Sequence, residues 1–212
     1  MDERKRRKAT GGRPKRRAAT TSKGDGHEGA SMQLNFDWLT ETLAVGGCFP
    51  IEAAERLAME HGIARVVDLR DEECDEELSL ARQGIRLLSL PTQDCCAIAG
   101  ESIAHGVAWV RAALASKQRV LIHCQHGIGR SALLAMCVLV DGGMSPLAAM
   151  KLAKDARAVI SPSPDQLRAL IAFASQHRAC ETWTVPTFDE LAAIAYRHLN
   201  WRAGELGCGT ST

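Results

Sequence analysis

The sequence predicts an α/β fold, with a mainly parallel central sheet of about four to five strands flanked by helices and a disordered basic tail in front. Three observations carry this. Short β-branched apolar runs alternate with longer amphipathic stretches, the pattern of strands joined through helices. Gly62, Gly84, Pro91, Pro146 and Pro164 punctuate the boundaries between those stretches. The first thirty residues also differ in composition from everything that follows.

That first segment, 1–30, is rich in Lys, Arg, Gly, Ser and Thr and poor in apolar side chains. It cannot bury enough surface to offset its ordering entropy, so it reads as disordered. Its first 23 residues hold ten Lys/Arg against Asp2 and Glu3, a balance of +8, so a chain of net charge +1 leaves −7 on the remainder. The basic runs 5–8 and 15–17 would suit nucleic acid, anionic lipid, an acidic partner or an import receptor; a solubilising tail fits them equally. The rest, 31–212, reads as one domain, with a core over about 36–180 and a helical extension over 181–212.

At 46% hydrophobic and 24% charged, the chain has the proportions of a soluble globular protein. Its longest apolar run, 131–140, falls short of the ~18 residues a membrane helix needs. No apolar stretch follows the basic start, as a secretory signal would require. Eight cysteines without a CxxC pair then read as reduced thiols in the cytoplasm, with the nucleus as the alternative in a eukaryote. Neither a metal site nor a cofactor is expected.

The elements follow in order. A strand or hairpin over 36–45 ends at Gly46, Gly47 and Pro50. An amphipathic helix over 51–61 stops at Gly62. A buried strand spans 63–69, an acidic helix 71–83, and a second strand 85–90, stopped by Pro91. A helix over 101–117 leads to a third buried strand, 119–123. The nearly all-apolar stretch 130–141 predicts a central helix. Ser145-Pro146 opens a helix to about 159, Pro164 another to about 177, and a last helix runs over about 188–201.

Ligands of such sheets bind beyond the carboxyl ends of strands, which is where the strand ending at His123 delivers its loop. The loop is His123-Cys124-Gln125-His126-Gly127-Ile128-Gly129-Arg130-Ser131, and a helix starts at its end. Glycine allows the backbone to turn successive N–H groups inward as an anion nest over Gln125, His126, Gly127, Ile128 and Gly129. The helix N-terminus adds unpaired N–H groups and its dipole, so an anion of phosphate size is the natural occupant. The same donors would stabilise a thiolate at Cys124 and make it nucleophilic. Arg130 brings a planar fork suited to two phosphate oxygens, and Ser131 a hydroxyl beside the sulfur. His123 is expected to brace the loop backbone.

This loop resembles the HCxxGxxRS signature of the cysteine-based protein phosphatases, in their dual-specificity branch. The resemblance extends over about 38–178. It takes in Leu43 to Gly47, the strand end Val67-Asp68-Leu69-Arg70, the turn Pro91-Thr92-Gln93-Asp94, and Arg157 and Pro162 ahead of Gln166. It implies a phosphatase-like fold and hydrolysis of phosphotyrosine, phosphoserine and phosphothreonine in proteins through a cysteinyl-phosphate, with Cys124 as nucleophile and no metal. Phosphoester cleavage also needs a proton for the leaving oxygen. By resemblance Asp94 supplies it; an ordinary loop or capping aspartate is the competing reading, and Asp71, Glu72 and Glu73 read as first-turn acids of a helix. Gln166 resembles a glutamine that orients the hydrolytic water, and Arg157 a residue bracing the loop, although a solvated glutamine and a surface arginine fit the same pattern. Cys95 or Cys96, next to Asp94, would protect Cys124 as a disulfide if either reached it. Two rival functions stand beside this one: an RNA 5′-triphosphatase, which the acidic body disfavours, and an inactive phosphoprotein-binding module, which the presence of cysteine, arginine and acid disfavours.

Overall fold

In the computed structural model of this chain the described residues are 33–177 and 183–199. The tail predicted over 1–30 and the end of the last predicted helix at Trp201 lie outside them. The opening segment forms an antiparallel hairpin of β1 (Phe36–Trp38) and β2 (Leu43–Gly46). The strands β3 (Ile63–Arg70), β4 (Arg86–Thr92) and β5 (Arg119–His123) complete a five-stranded sheet of order β1-β2-β5-β3-β4, with every pairing beyond the hairpin parallel.

The central strands are covered on both faces, which is why they read as almost unbroken apolar runs. Successive side chains alternate between the two faces. Leu43, Val45, Val67, Leu69, Val120 and Ile122 enter the larger core; Ala44, Ile63, Val66 and Leu121 enter a smaller one. The alternation continues past the end of β5. Cys124 follows Ile122 into the larger core, and His123 lies beside the Phe49 ring on the other side, with 5.1 Å between centroids.

Helices α1 (Ala54–Met59) and α2 (Glu77–Arg82) cover the smaller core through Leu57 and Leu80. Helices α3 (Gly100–Ala115), α4 (Arg130–Asp141), α5 (Pro146–Ala156), α6 (Pro164–Gln176) and α7 (Phe188–Ala195) gather over the larger one. Ten of the twelve α4 residues are buried, so α4 is the central helix its composition predicts. Ser145 caps α5, while Ser163 with Gln166 and Thr187 with Glu190 form capping boxes at α6 and α7. No helix among the described residues is long and apolar enough to cross a membrane.

Four boundaries differ from the sequence expectation. The predicted 51–61 helix opens as a 3₁₀ turn, Ile51–Ala53, before α1. Strand β4 runs through Pro91 instead of stopping there, because β4 is the sheet edge, where a missing N–H can face away from the partner strand. Helix α2 begins at Glu77, not Asp71, since the carboxylates of Glu72, Glu73 and Asp75 are drawn to arginines and a histidine. Helix α5 ends at Ala156, because Arg157 leaves helical conformation (φ −135°, ψ 97°) to reach the loop after β5.

Candidate active site

The loop from Gln125 to Gly129 has each of its carbonyls held from outside. Cys48 N–H donates to Gln125 O (3.1 Å), Arg157 to His126 O (3.0 Å) and Gly127 O (2.9 Å), Ser161 N–H to Ile128 O (3.0 Å), and Leu133 N–H to Gly129 O (2.9 Å). A trans peptide points its N–H opposite its carbonyl. Tying these five carbonyls outward therefore turns the N–H groups of His126 to Arg130 toward the loop interior, and among the described residues none of them bonds a backbone carbonyl. Gly127 has φ +71°, and a Cβ there would lie 2.6 Å from Gly46 O and Gly47 N, so both the conformation and the close approach require glycine.

Cys124 sits at the base of this nest, 3% exposed, with its Sγ 3.4 Å from Ser131 Oγ. Burial alone pushes its thiol up. The Ser131 hydroxyl, the N–H groups of Ser131 and Gly127, and the charge of Arg130 outweigh burial and hold it below the ordinary thiol value. Cys137, buried on α4, has no such donors, and burial pushes its thiol up.

Arg130 is 1% exposed, and its fork is fixed by Glu72 through two hydrogen bonds of 2.8 Å and by Thr92 O at 2.7 Å. Asp94, on the turn after β4, places Oδ1 3.0 Å from Arg130 Nη2 and is itself exposed. The hydrogen bonds from Arg130 draw the Glu72 carboxyl down to about 2. Burial works against the charge of Arg130, but Glu72, Cys124 and Asp94 raise its affinity for the proton all the same. Among the described residues the buried Nε–H of Arg130 has no partner, leaving one donor of the fork uncommitted.

Asp94, Cys124, His126, Ile128, Gly129 and Gln166 line one cavity of about 400 Å³. Gln166, expected as a water-orienting or merely solvated side chain, is 1% exposed. Its Oε1 accepts from Ser163 N–H (2.9 Å) and its Nε2 donates to Cys96 O (3.0 Å). A Cβ on Gly129 would meet its amide, so the two are packed face to face. Arg157 is 7% exposed and makes four hydrogen bonds, two to the loop and one each to Asp37 and Asn35, which removes the surface-arginine alternative. Cys95, with φ 61°, lines the Cys124 cavity.

The profile of the dual specificity phosphatase catalytic domain matches residues 51–176. The chain belongs to the dual specificity phosphatase family. No curated protein sequence matches it. Among solved structures, PTPMT1 in complex with PI(5)P is 23% identical with a TM-score of 0.64, covering 68% of this chain and 97% of its own. Tk-PTP in its active form is 20% identical (TM-score 0.63; 67% and 97% covered), and human DUSP28 22% identical (TM-score 0.59; 69% and 97% covered). At these identities the likeness establishes the shared fold, a five-stranded sheet flanked by helices.

Within this phosphatase several residues around the loop escape sequence reasoning. Glu72 reads locally as a helix acid; its position beyond the carboxyl end of β3, where ligand sites gather, is the one available signal. Among the described residues the His123 side chain makes no hydrogen bond to the loop backbone. Its Nε2 lies 2.9 Å from Asp75 Oδ2, and its buried Nδ1 has no partner among the described residues. Asp68, Asp75 and His123 could hold a cation by spacing, but the Arg70 guanidinium already pairs with both carboxylates. Ser163 Oγ donates to Cys95 O (2.7 Å), linking the start of α6 to the turn that carries Asp94. Tyr196, just after α7, lines the Cys124 cavity from a segment far along the chain.

Proposed function

We propose that this phosphatase hydrolyses phosphotyrosine and phosphoserine or phosphothreonine monoesters of proteins through a cysteinyl-phosphate. The observation that carries the reading is the row of five outward-tied carbonyls, with Cys124 beneath the N–H groups they aim. Phosphate oxygens accept from those N–H groups and from the free Arg130 Nε–H. The Cys124 thiolate attacks phosphorus, and the bond from phosphorus to the ester oxygen breaks as Asp94 gives that oxygen its proton. Water then attacks the phosphocysteine and loses a proton to the Asp94 carboxylate. The phosphorus–sulfur bond breaks, and the Ser131 hydroxyl receives the departing thiolate. Nε2 of Gln166 uses one N–H on Cys96 O and keeps the other for that water.

A headgroup or RNA end bearing further phosphates is disfavoured. The stretch Gln125 to Gly129 contains no lysine or arginine, and Glu72, Glu73 and Asp75 stand near the site. The PI(5)P complex of PTPMT1 makes a lipid phosphate the comparison substrate to run. Placement in the cytoplasm, or the nucleus of a eukaryote, goes with this reading, as does an anionic partner for the basic runs 5–8 and 15–17.

The test is release of phosphate from tyrosine and serine phosphopeptides, a phosphoinositide and triphosphate-ended RNA. Peptide turnover should exceed the other two, vanish in Cys124→Ser and Arg130→Ala, and fall more for poor than for good leaving groups in Asp94→Ala. Turnover surviving Cys124→Ser defeats the mechanism; preference for the RNA or the lipid defeats the substrate class.

A further inference from the structure

We propose that Tyr196 is a specificity-determining residue, its ring forming one wall of the subsite that receives an aromatic leaving group. This rests on the Cys124 mechanism above. The cavity containing Cys124 and Asp94 is also lined by Ile128, Pro162, Pro164 and Tyr196. The loop N–H groups and Arg130 account for the phosphate itself. What remains of the wall is largely carbon, and it faces whatever the phosphate is attached to. A phenyl ring there loses water-exposed apolar area and gains ring contact with Tyr196, whereas the side chain of serine or threonine offers almost no such surface.

The tyrosine is fixed rather than free. Its hydroxyl donates to Pro162 O (2.6 Å), and its N–H donates to Ala192 O (2.9 Å). The next residue, Arg197, pairs with Asp155 (2.7 Å), and His198 Nδ1 lies 3.1 Å from the buried Lys154 Nζ, which also donates to Ile160 O. Leu191 and Ala195 of α7 are buried in the larger core. The segment that Tyr196 holds at Pro162 reaches both sides of the site: Ser161 N–H donates to Ile128 O and Ser163 Oγ to Cys95 O. Tyr196 lies beyond residues 51–176, so this wall is supplied by a part of the chain outside the matched catalytic domain.

Inhibition constants of benzylphosphonate, methylphosphonate and vanadate, measured on the full chain against an aryl phosphate substrate, separate ring from phosphate. Tyr196→Leu should weaken benzylphosphonate about three- to tenfold and leave methylphosphonate and vanadate within about twofold. Tyr196→Phe, which keeps the ring, should bind all three as the parent does. Equal weakening of both phosphonates, no change in either, or loss of the benzyl preference in Tyr196→Phe overturns the proposal. Should Tyr196→Leu not fold, Tyr196→Met, which keeps the bulk without the ring, takes its place with the same expected loss for benzylphosphonate alone, and unchanged vanadate inhibition certifies an intact loop. Cys124→Ser run alongside tests the underlying mechanism: persistent turnover would remove that mechanism whatever the phosphonate ratio.

Discussion

Replacing Arg157 by methionine keeps most of the side-chain volume and removes the fork that holds two carbonyls of the phosphate loop. Of its four hydrogen bonds, the one to Asp37 contributes least, because that carboxylate is 46% exposed and regains water. The bonds to the loop are those to Gly127 O (2.9 Å), which is buried, and to His126 O (3.0 Å), which is partly buried. Hydrogen bonds to a charged donor contribute about 1.5–3 kcal/mol each, so losing two at the lower figure amounts to about 3 kcal/mol. For a domain of this size that is a fall in melting temperature of about 6–12 °C. The functional consequence is separate. With both carbonyls released, nothing turns the N–H groups of Gly127 and Ile128 inward, and the Gly127 N–H is one of the donors that keep the Cys124 thiol low. The Arg157→Met thiol should rise toward its ordinary value, and kcat/KM should fall about 100-fold, the lower end of what losing one oxyanion donor costs. Calorimetry gives the first number; aryl phosphate kinetics well below the new melting temperature, with the pH dependence of Cys124 alkylation, gives the second. A lowered melting temperature with kcat/KM unchanged would refute the claim that outward-tied carbonyls aim the donors.

Two further outcomes follow from the same geometry. Ser131→Ala removes the largest single contribution lowering the Cys124 thiol, so the rising limb of kcat/KM against pH should move to higher pH, as should the alkylation profile. In Glu72→Gln the pairing with Arg130 is weakened, and the sign is fixed by the carboxyl's fall from 4.5 to about 2. Stability from that pair is present above about 4.5 and is lost as pH falls toward about 2. The melting-temperature gap between parent and Glu72→Gln should therefore narrow as pH is lowered from about 6 to about 3; a constant gap would mean the ion pair contributes nothing to stability.

What was legible in the sequence is what lies close together along the chain. The strand, loop and helix carrying Cys124, Arg130 and Ser131 are contiguous, and their periodicity, glycines and caps are local signals. The features that escaped are pairings across long separations. Glu72 meets Arg130 from 58 residues away, and Arg157 meets Asp37 from 120. The same cause shifted the start of α2: a carboxylate that suits the first turn of a helix is drawn instead to a buried arginine, a choice no local propensity encodes. Pro91 misled for a related reason, since its effect depends on whether its strand is central or at the edge, and only the sheet order settles that.

These long-range contacts also bear on how the proposed site would attract a phosphate dianion. The buried guanidinium beside Cys124, Arg130, is already matched by Glu72, and Asp94 and, on the proposed mechanism, the Cys124 thiolate add negative charge around it. Side-chain charge therefore does not favour anion entry, and the backbone must supply the attraction through N–H groups at the loop and at the start of α4. Such donors are effective only when aimed, and the aiming is done by residues that touch no substrate: Arg157, Cys48 and Ser161, each pulling on a carbonyl. On the proposed reading, a nest of uncharged N–H donors holds one phosphate group and gives further phosphates nothing to bind. If the proposed wall operates, discrimination among monoesters falls to the uncharged side chains of Ile128, Pro162, Pro164 and Tyr196.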